Sequence, residues 1–77
     1  MSDLVKRSLS LSGHRTSVAL EPEFWTVLDA MAATRQQSFA SLVASLDATR
    51  QPERPLASAL RVAALMHLQG SVRASDQ

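Results

Sequence analysis

The chain has 77 residues, of which 45% are hydrophobic, with a formal net charge of +1 and no cysteine. A chain of this size forms one small domain with little stability to spare, and the lack of cysteine excludes disulfide bonds and zinc–thiolate sites. No apolar run approaches the roughly 18 residues of a membrane span, and the apolar segment of a signal peptide is missing, so we expect a cytoplasmic protein. The charge alone is too small to indicate nucleic-acid binding.

The N-terminal segment contains a possible first strand. Leu9 and Leu11 alternate with serines, which is typical of a strand with one apolar face. Gly13-His14 would then form the type II′ turn of a hairpin, or the segment would be a loose arm with its leucines against another chain. The hairpin would pair Leu11 with Thr16 and Leu9 with Val18.

Residues 15–21, Arg-Thr-Ser-Val-Ala-Leu-Glu, are the clearest strand signal, and they lead directly into a helix. One face of this strand contains Thr16, Val18 and Leu20. The other face contains Arg15, Ser17 and Ala19. Pro22 then suits the first position of a helix, where its missing N–H is not needed. A strand needs a pairing partner, and the same strand of a second chain is the obvious candidate.

Two amphipathic helices are predicted next. The first starts at Pro22 and has a continuous apolar arc, formed by Phe24, Trp25, Val27, Leu28, Met31 and Ala32. Residues 35–37 should form a turn, and Ser38 is a preferred N-cap residue for the second helix. Apolar residues of the second helix recur at spacings of three and four: Phe39, Leu42, Val43 and Leu46.

A third helix is predicted between Pro55 and Gly70, because proline suits a helix start and glycine a helix end. Its apolar arc is broad and contains Leu56, Ala59, Leu60, Ala63, Ala64, Met66 and Leu68. Val62 and Leu65 are also apolar and lie outside that arc. A helix that is apolar on nearly all sides is buried on several sides, so we expect contact with a partner chain.

The order of strand, amphipathic helix, serine-capped turn and second helix in residues 15–50 resembles the ribbon-helix-helix family of the Arc/MetJ type. Over residues 6–69 the chain is similar to a small bacterial group of that family with an extra C-terminal helix, above all in G-H-R-T-S-V-A-L-E-P-E-F-W. The resemblance implies a mainly α fold with one or two short N-terminal strands and a third helix, assembled as an intertwined homodimer. Residues 1–5 would be a flexible N-terminus and residues 70–77 a disordered tail.

The resemblance also implies a transcriptional regulator that inserts an antiparallel β-ribbon into the major groove of double-stranded DNA. The base-facing residues would be Arg15, Ser17 and Ala19. Phosphates would be contacted from the N-terminal arm and from the start of the second helix, by Lys6, Arg7, Ser38 and Phe39. The dimer core would contain Thr16, Val18, Leu20, Trp25, Leu28, Leu42 and Leu46.

Two features depart from the family pattern. Gln36 stands where the family often has glycine, and a left-handed backbone costs glutamine more than glycine. A hairpin would also widen the sheet of the dimer to four strands, about 14 Å across, whereas the major groove is about 12 Å wide. The alternative is therefore a dimeric protein-interaction module that keeps the fold without sequence-specific DNA binding.

Catalytic and metal-binding chemistry is not expected. His14 and His67 do not form a ligand cluster in a chain without cysteine, and Ser38 has no base at a recognisable spacing. We therefore expect no enzyme activity, no cofactor and no membrane association, and the sequence contains no signature of a particular protein partner.

Overall fold

The computed structural model describes residues 3–75, with side chains described for residues 3–70, so the outermost residues of both predicted flexible ends lie outside it. Two strands precede three helices: β1 (Val5–Leu11), β2 (His14–Leu20), α1 (Pro22–Thr34), α2 (Phe39–Thr49) and α3 (Leu56–Ser75). The mainly α fold with two short N-terminal strands is therefore confirmed. No helix in the described range is long and apolar enough to cross a membrane.

The N-terminal segment forms a hairpin with β2 and not a loose arm. Its turn consists of Ser12 and Gly13, whose φ angles are 52° and 81°. Two consecutive residues with positive φ form a type I′ turn. The predicted type II′ turn at Gly13-His14 is therefore wrong by one residue, because Ser12 shares the left-handed region with Gly13. The observed register pairs Leu9 with Thr16 and Leu11 with His14.

The corrected register keeps the predicted apolar face. Each leucine of β1 pairs two positions away from its predicted partner, and a shift by two residues leaves a side chain on the same face of a strand. The buried residues of the hairpin are Leu9, Leu11, Val18 and Leu20. The pairing partner of β2 is thus β1 of the same chain, where the sequence had suggested a second copy.

One apolar core joins the hairpin to all three helices. Leu20, Leu28, Leu42 and Leu60 have no exposed surface, and they come from β2, α1, α2 and α3 in turn. Trp25 is 2% exposed and packs in the same cluster. The residues predicted for a dimer core are therefore already buried within one chain, except for Thr16 and Leu46, which are half-buried.

The turn between α1 and α2 follows the sequence signals. Gln36 has a φ of 55°, so the left-handed backbone expected at this position is present in a residue other than glycine. Ser38 caps α2, because its side-chain oxygen accepts a hydrogen bond from the Ser41 amide at 3.0 Å.

The third helix differs from its predicted bounds. It begins at Leu56, one residue after Pro55, and it continues through Gly70 to Ser75. The predicted end at Gly70 is wrong, since a glycine inside a helix costs only about 1 kcal/mol relative to alanine. Helix α3 thus takes in most of the predicted tail, just as β1 takes in Val5 from the predicted flexible N-terminus.

Replacement of Gln36 by glycine should stabilise the fold by about 1 kcal/mol, because glycine adopts a positive φ without the steric cost of a side chain. Arg35→Gly is the matched control: Arg35 has a φ of −87°, so glycine there should lower stability. Urea unfolding of both variants measures the two changes. A loss of stability in Gln36→Gly would contradict the strain assigned to this turn.

Candidate nucleic-acid interface

The face of the hairpin turned away from the helices is polar and cationic. We call it the outer hairpin face; its residues are Lys6, Ser8, Ser10, Arg15, Ser17 and Ala19. The register places Lys6 opposite Ala19, Ser8 opposite Ser17, and Ser10 opposite Arg15. All six are exposed except Ala19, which is half-buried. Half of this face comes from β1, and Ser8 and Ser10 were not among the predicted site residues.

Hydrogen bonds on the outer hairpin face are few and long. An Arg15 guanidinium nitrogen donates to the Ser10 hydroxyl at 3.4 Å, and the hydroxyl oxygens of Ser8 and Ser17 are 3.5 Å apart. A guanidinium has five N–H donors, so Arg15 keeps most of its donors for a ligand. Lys6 lies four residues along β1 from Ser10, a distance of about 13 Å in a strand. The face thus offers two separated cations with hydroxyl groups between them.

Arg7, a predicted phosphate contact, is already paired with another side chain at the surface of the fold. Its two terminal nitrogens donate to the two carboxylate oxygens of Asp29 at 3.0 and 3.1 Å. The guanidinium carbon also lies 4.7 Å from the ring centre of Trp25 and 4.8 Å from that of Phe39. The hydrogen bond to Asp29 raises the pKa of Arg7. A phosphate would therefore have to compete with Asp29 for this side chain.

Two further contacts fasten the hairpin to the helices. The indole N–H of Trp25 donates to the carbonyl oxygen of Val5 at 2.7 Å. Arg61 of α3 donates to the Glu21 carboxylate at 3.0 Å, next to the end of β2. Hydrogen bonds from the backbone of Glu21 itself and then from Arg61 lower the pKa of Glu21. Together with Arg7, these contacts fix the direction in which the outer hairpin face points.

The start of α2 lies against the inner side of β1. The ring of Phe39 packs 5.7 Å from that of Trp25, centre to centre, at an angle of 59°, and it also contacts Arg7. The first amides of a helix have no acceptor within that helix. In α2, Ser38 Oγ accepts a hydrogen bond from one of them, the Ser41 amide. The Phe39 amide thus retains the capacity to bind an anion. Within the described residues no group of three His, Cys, Asp or Glu side chains could hold a metal ion.

The sequence predicted which β2 residues share the outer hairpin face, but not the contacts that hold this face in place. The alternation of Arg15, Ser17 and Ala19 was sufficient to put them on one face. Arg7 and Asp29 are 22 residues apart, and no periodic pattern connects two such positions. Arg7 lies in β1 and Asp29 in α1, so the pair forms only through the packing of the hairpin against α1.

Comparison with protein families gives a match that covers most of the chain. A family model described as the ribbon-helix-helix domain matches residues 4–68. The match begins before β1 and ends within α3, so it includes the whole hairpin and all three helices in whole or in part. No curated protein and no solved structure matches the chain.

The Arg7–Asp29 pair should make stability depend on pH. Hydrogen bonding to Arg7 lowers the pKa of Asp29, so the pair stabilises the fold above the ordinary aspartate pKa of about 3.9, and this contribution is lost as the pH falls through the lowered value. Asp29→Asn should therefore cost up to about 1 kcal/mol at pH 7, as expected for an exposed pair.

Urea unfolding at pH 7 and at about pH 3 measures this cost, which should shrink at the lower pH. Glu53→Gln is the control, because Glu53 is exposed and has no ion-pair partner among the described side chains. A cost of Asp29→Asn that is the same at both pH values would contradict the electrostatic role of the pair.

Proposed function

Because the chain belongs to the ribbon-helix-helix family, we propose that it is a DNA-binding transcriptional regulator whose outer hairpin face enters the major groove. The observation that carries the proposal is the composition of this face, which has two cations, three serines and one alanine, and no acid. Phosphates and guanine edges are hydrogen-bond acceptors, so a face of cations and hydroxyl groups without carboxylates is suited to them.

The width of the hairpin supports this mode of binding. The major groove admits a two-stranded β-ribbon, and β1 and β2 form such a ribbon within one chain, with strands about 5 Å apart. A four-stranded sheet from two copies paired through β2 would be about 14 Å across and too wide for a groove of about 12 Å. In our proposal the hairpin of each copy of a homodimer is therefore the inserted element.

Residues of the outer hairpin face differ in what they can recognise. Arg15 can donate two hydrogen bonds to a guanine, the commonest specific contact in the major groove. Ser17 can bond to several bases without selecting one, and Ala19 can contact a thymine methyl group. Lys6 is suited to a phosphate, as is the Phe39 amide at the start of α2. Arg7 is assigned to holding the hairpin in place, because two of its donors are paired with Asp29 and its guanidinium lies against the rings of Trp25 and Phe39.

A second candidate function is a dimeric protein-interaction module without DNA reading. The hairpin itself favours this function, because β1 covers one edge of β2 and leaves the other edge free to pair with a second copy. Two copies paired in that way would form a four-stranded sheet, which is too wide for the major groove. In that case Arg15 is only a surface cation, and its removal changes nothing measurable with DNA.

Arg15→Ala should weaken specific binding by about 1–3 kcal/mol if Arg15 reads a base. Fluorescence anisotropy with a duplex from the region upstream of the gene and with a scrambled duplex measures this. The scrambled duplex should show a smaller loss. Arg54→Ala is the matched control, because Arg54 is an exposed arginine between α2 and α3, outside the hairpin.

Lys6→Ala should weaken binding to both duplexes about equally and reduce the salt slope by about one unit, because a phosphate contact is independent of sequence. The same titrations at two salt concentrations measure it. Equally weak binding of both duplexes by the wild type and both variants would contradict the DNA-reading proposal and leave the interaction module.

A further inference from the structure

A groove of about 340 Å³ lies between α2 and α3, away from the hairpin. Binding sites for small molecules have volumes of about 300–1,000 Å³, so the groove can hold a small ligand. Its walls are divided by chemistry: side chains from the two helices make one part apolar, and the end of α2 with the following linker makes the other part polar. The apolar wall contains Leu46, Ala59, Val62, Ala63 and Met66.

The polar end of the groove has one cation that is available to a ligand. Arg50 is already paired, because its guanidinium lies 2.9 Å from the Asp47 carboxylate and donates to the carbonyl oxygen of Arg54 at 2.8 Å. The guanidinium of Arg54 has no ion-pair partner among the described side chains. No acid is among the described residues that line the groove. Arg50 therefore holds the backbone of Arg54 in place, and the side chain of Arg54 can pair with an anion.

The spacing of residues along α3 gives the length of the apolar wall. Ala59 and Met66 are seven residues apart, which is about 10 Å along a helix. An extended alkyl chain advances about 1.3 Å per carbon, given carbon–carbon bonds of about 1.5 Å. A chain of about eight carbons thus spans this wall. Arg54 precedes the start of α3 by two residues, so the available cation lies at one end of the wall.

We propose that this groove is a binding site for a medium-chain carboxylate, a linear alkyl chain of about eight carbons with a carboxylate at one end. Arg54 donates two parallel hydrogen bonds to the carboxylate, and the alkyl chain lies against Val62 and Met66. These two side chains are 38% and 63% exposed, so the ligand removes their apolar surface from water. The available cation selects this occupant over a neutral apolar molecule.

Charge also distinguishes this ligand from a nucleic acid and from an anionic membrane. Both of those bind through an excess of cations, whereas the groove has one available cation. Helix α3 adds none, because between Leu56 and Gly70 its only lysine or arginine is Arg61. Arg61 forms an ion pair with Glu21 at 3.0 Å. The groove therefore suits a ligand with a single negative charge.

Isothermal titration calorimetry of the full chain with octanoate tests the proposal. Binding should be saturable, and each methylene removed, from octanoate to heptanoate to hexanoate, should weaken it about fourfold. Arg54→Ala should weaken octanoate binding roughly tenfold, because a hydrogen-bonded ion pair is lost, and should leave the binding of octanol unchanged. Arg35→Ala is the matched control, since Arg35 is an exposed arginine outside the groove.

A second pair of variants tests the apolar wall. Val62→Asp places an anion in the wall and should abolish octanoate binding. Leu65→Asp is its control: Leu65 is 52% exposed on the same helix but does not line the groove, so the variant should bind octanoate like the wild type. Circular dichroism melting curves verify that both variants fold. If Val62→Asp does not fold, Met66→Asp replaces it.

No saturable binding of octanoate by the wild type, or equal affinities of the wild type and Arg54→Ala, would overturn the proposal. A loss of binding in Arg35→Ala or in folded Leu65→Asp would overturn it as well, because the uptake of octanoate would then be unspecific. The titrations contain no DNA, and Arg54 lies outside the outer hairpin face. Their failure is therefore distinct from a failure of the Arg15 titrations.

Discussion

Arg7 holds the hairpin to the helices through one guanidinium group. It connects three elements, because Asp29 and Trp25 belong to α1 and Phe39 to α2, whereas Arg7 itself belongs to β1. A two-stranded hairpin is marginally stable in isolation, and a cation over an aromatic ring contributes about 0.5–2 kcal/mol, more when water is excluded. The direction of the outer hairpin face therefore depends on a residue that is not part of that face.

Local sequence signals predicted the helices, but they could not predict contacts between residues that are far apart in the chain. Pro22 and Ser38 mark helix starts because their own chemistry suits those positions. The predicted position of the hairpin turn was wrong by one residue. Gly13 indicates a left-handed backbone, but it does not indicate whether Ser12 or His14 is the other residue of the turn. Of the candidate site, alternation along β2 was enough to find Arg15. The β1 half required the register, which the turn sets.

Two surfaces of the molecule have opposite chemistry. The outer hairpin face is polar and cationic, whereas Val62, Leu65 and Met66 form an exposed apolar surface on α3. They lie on different elements, with the shared core of Leu20 and Leu60 between those elements. Contact with an anionic ligand and contact with another protein can thus be made at the same time, without competition for one patch.

The hairpin also changes the order of events by which such a domain can be assembled. Strands joined by a two-residue turn pair over a short sequence separation, which costs little loop-closure entropy and takes on the order of microseconds. A ribbon made from two chains can form only when the chains collide. Because β2 finds its partner within its own chain, refolding of this core is expected to be first-order, at a rate independent of protein concentration.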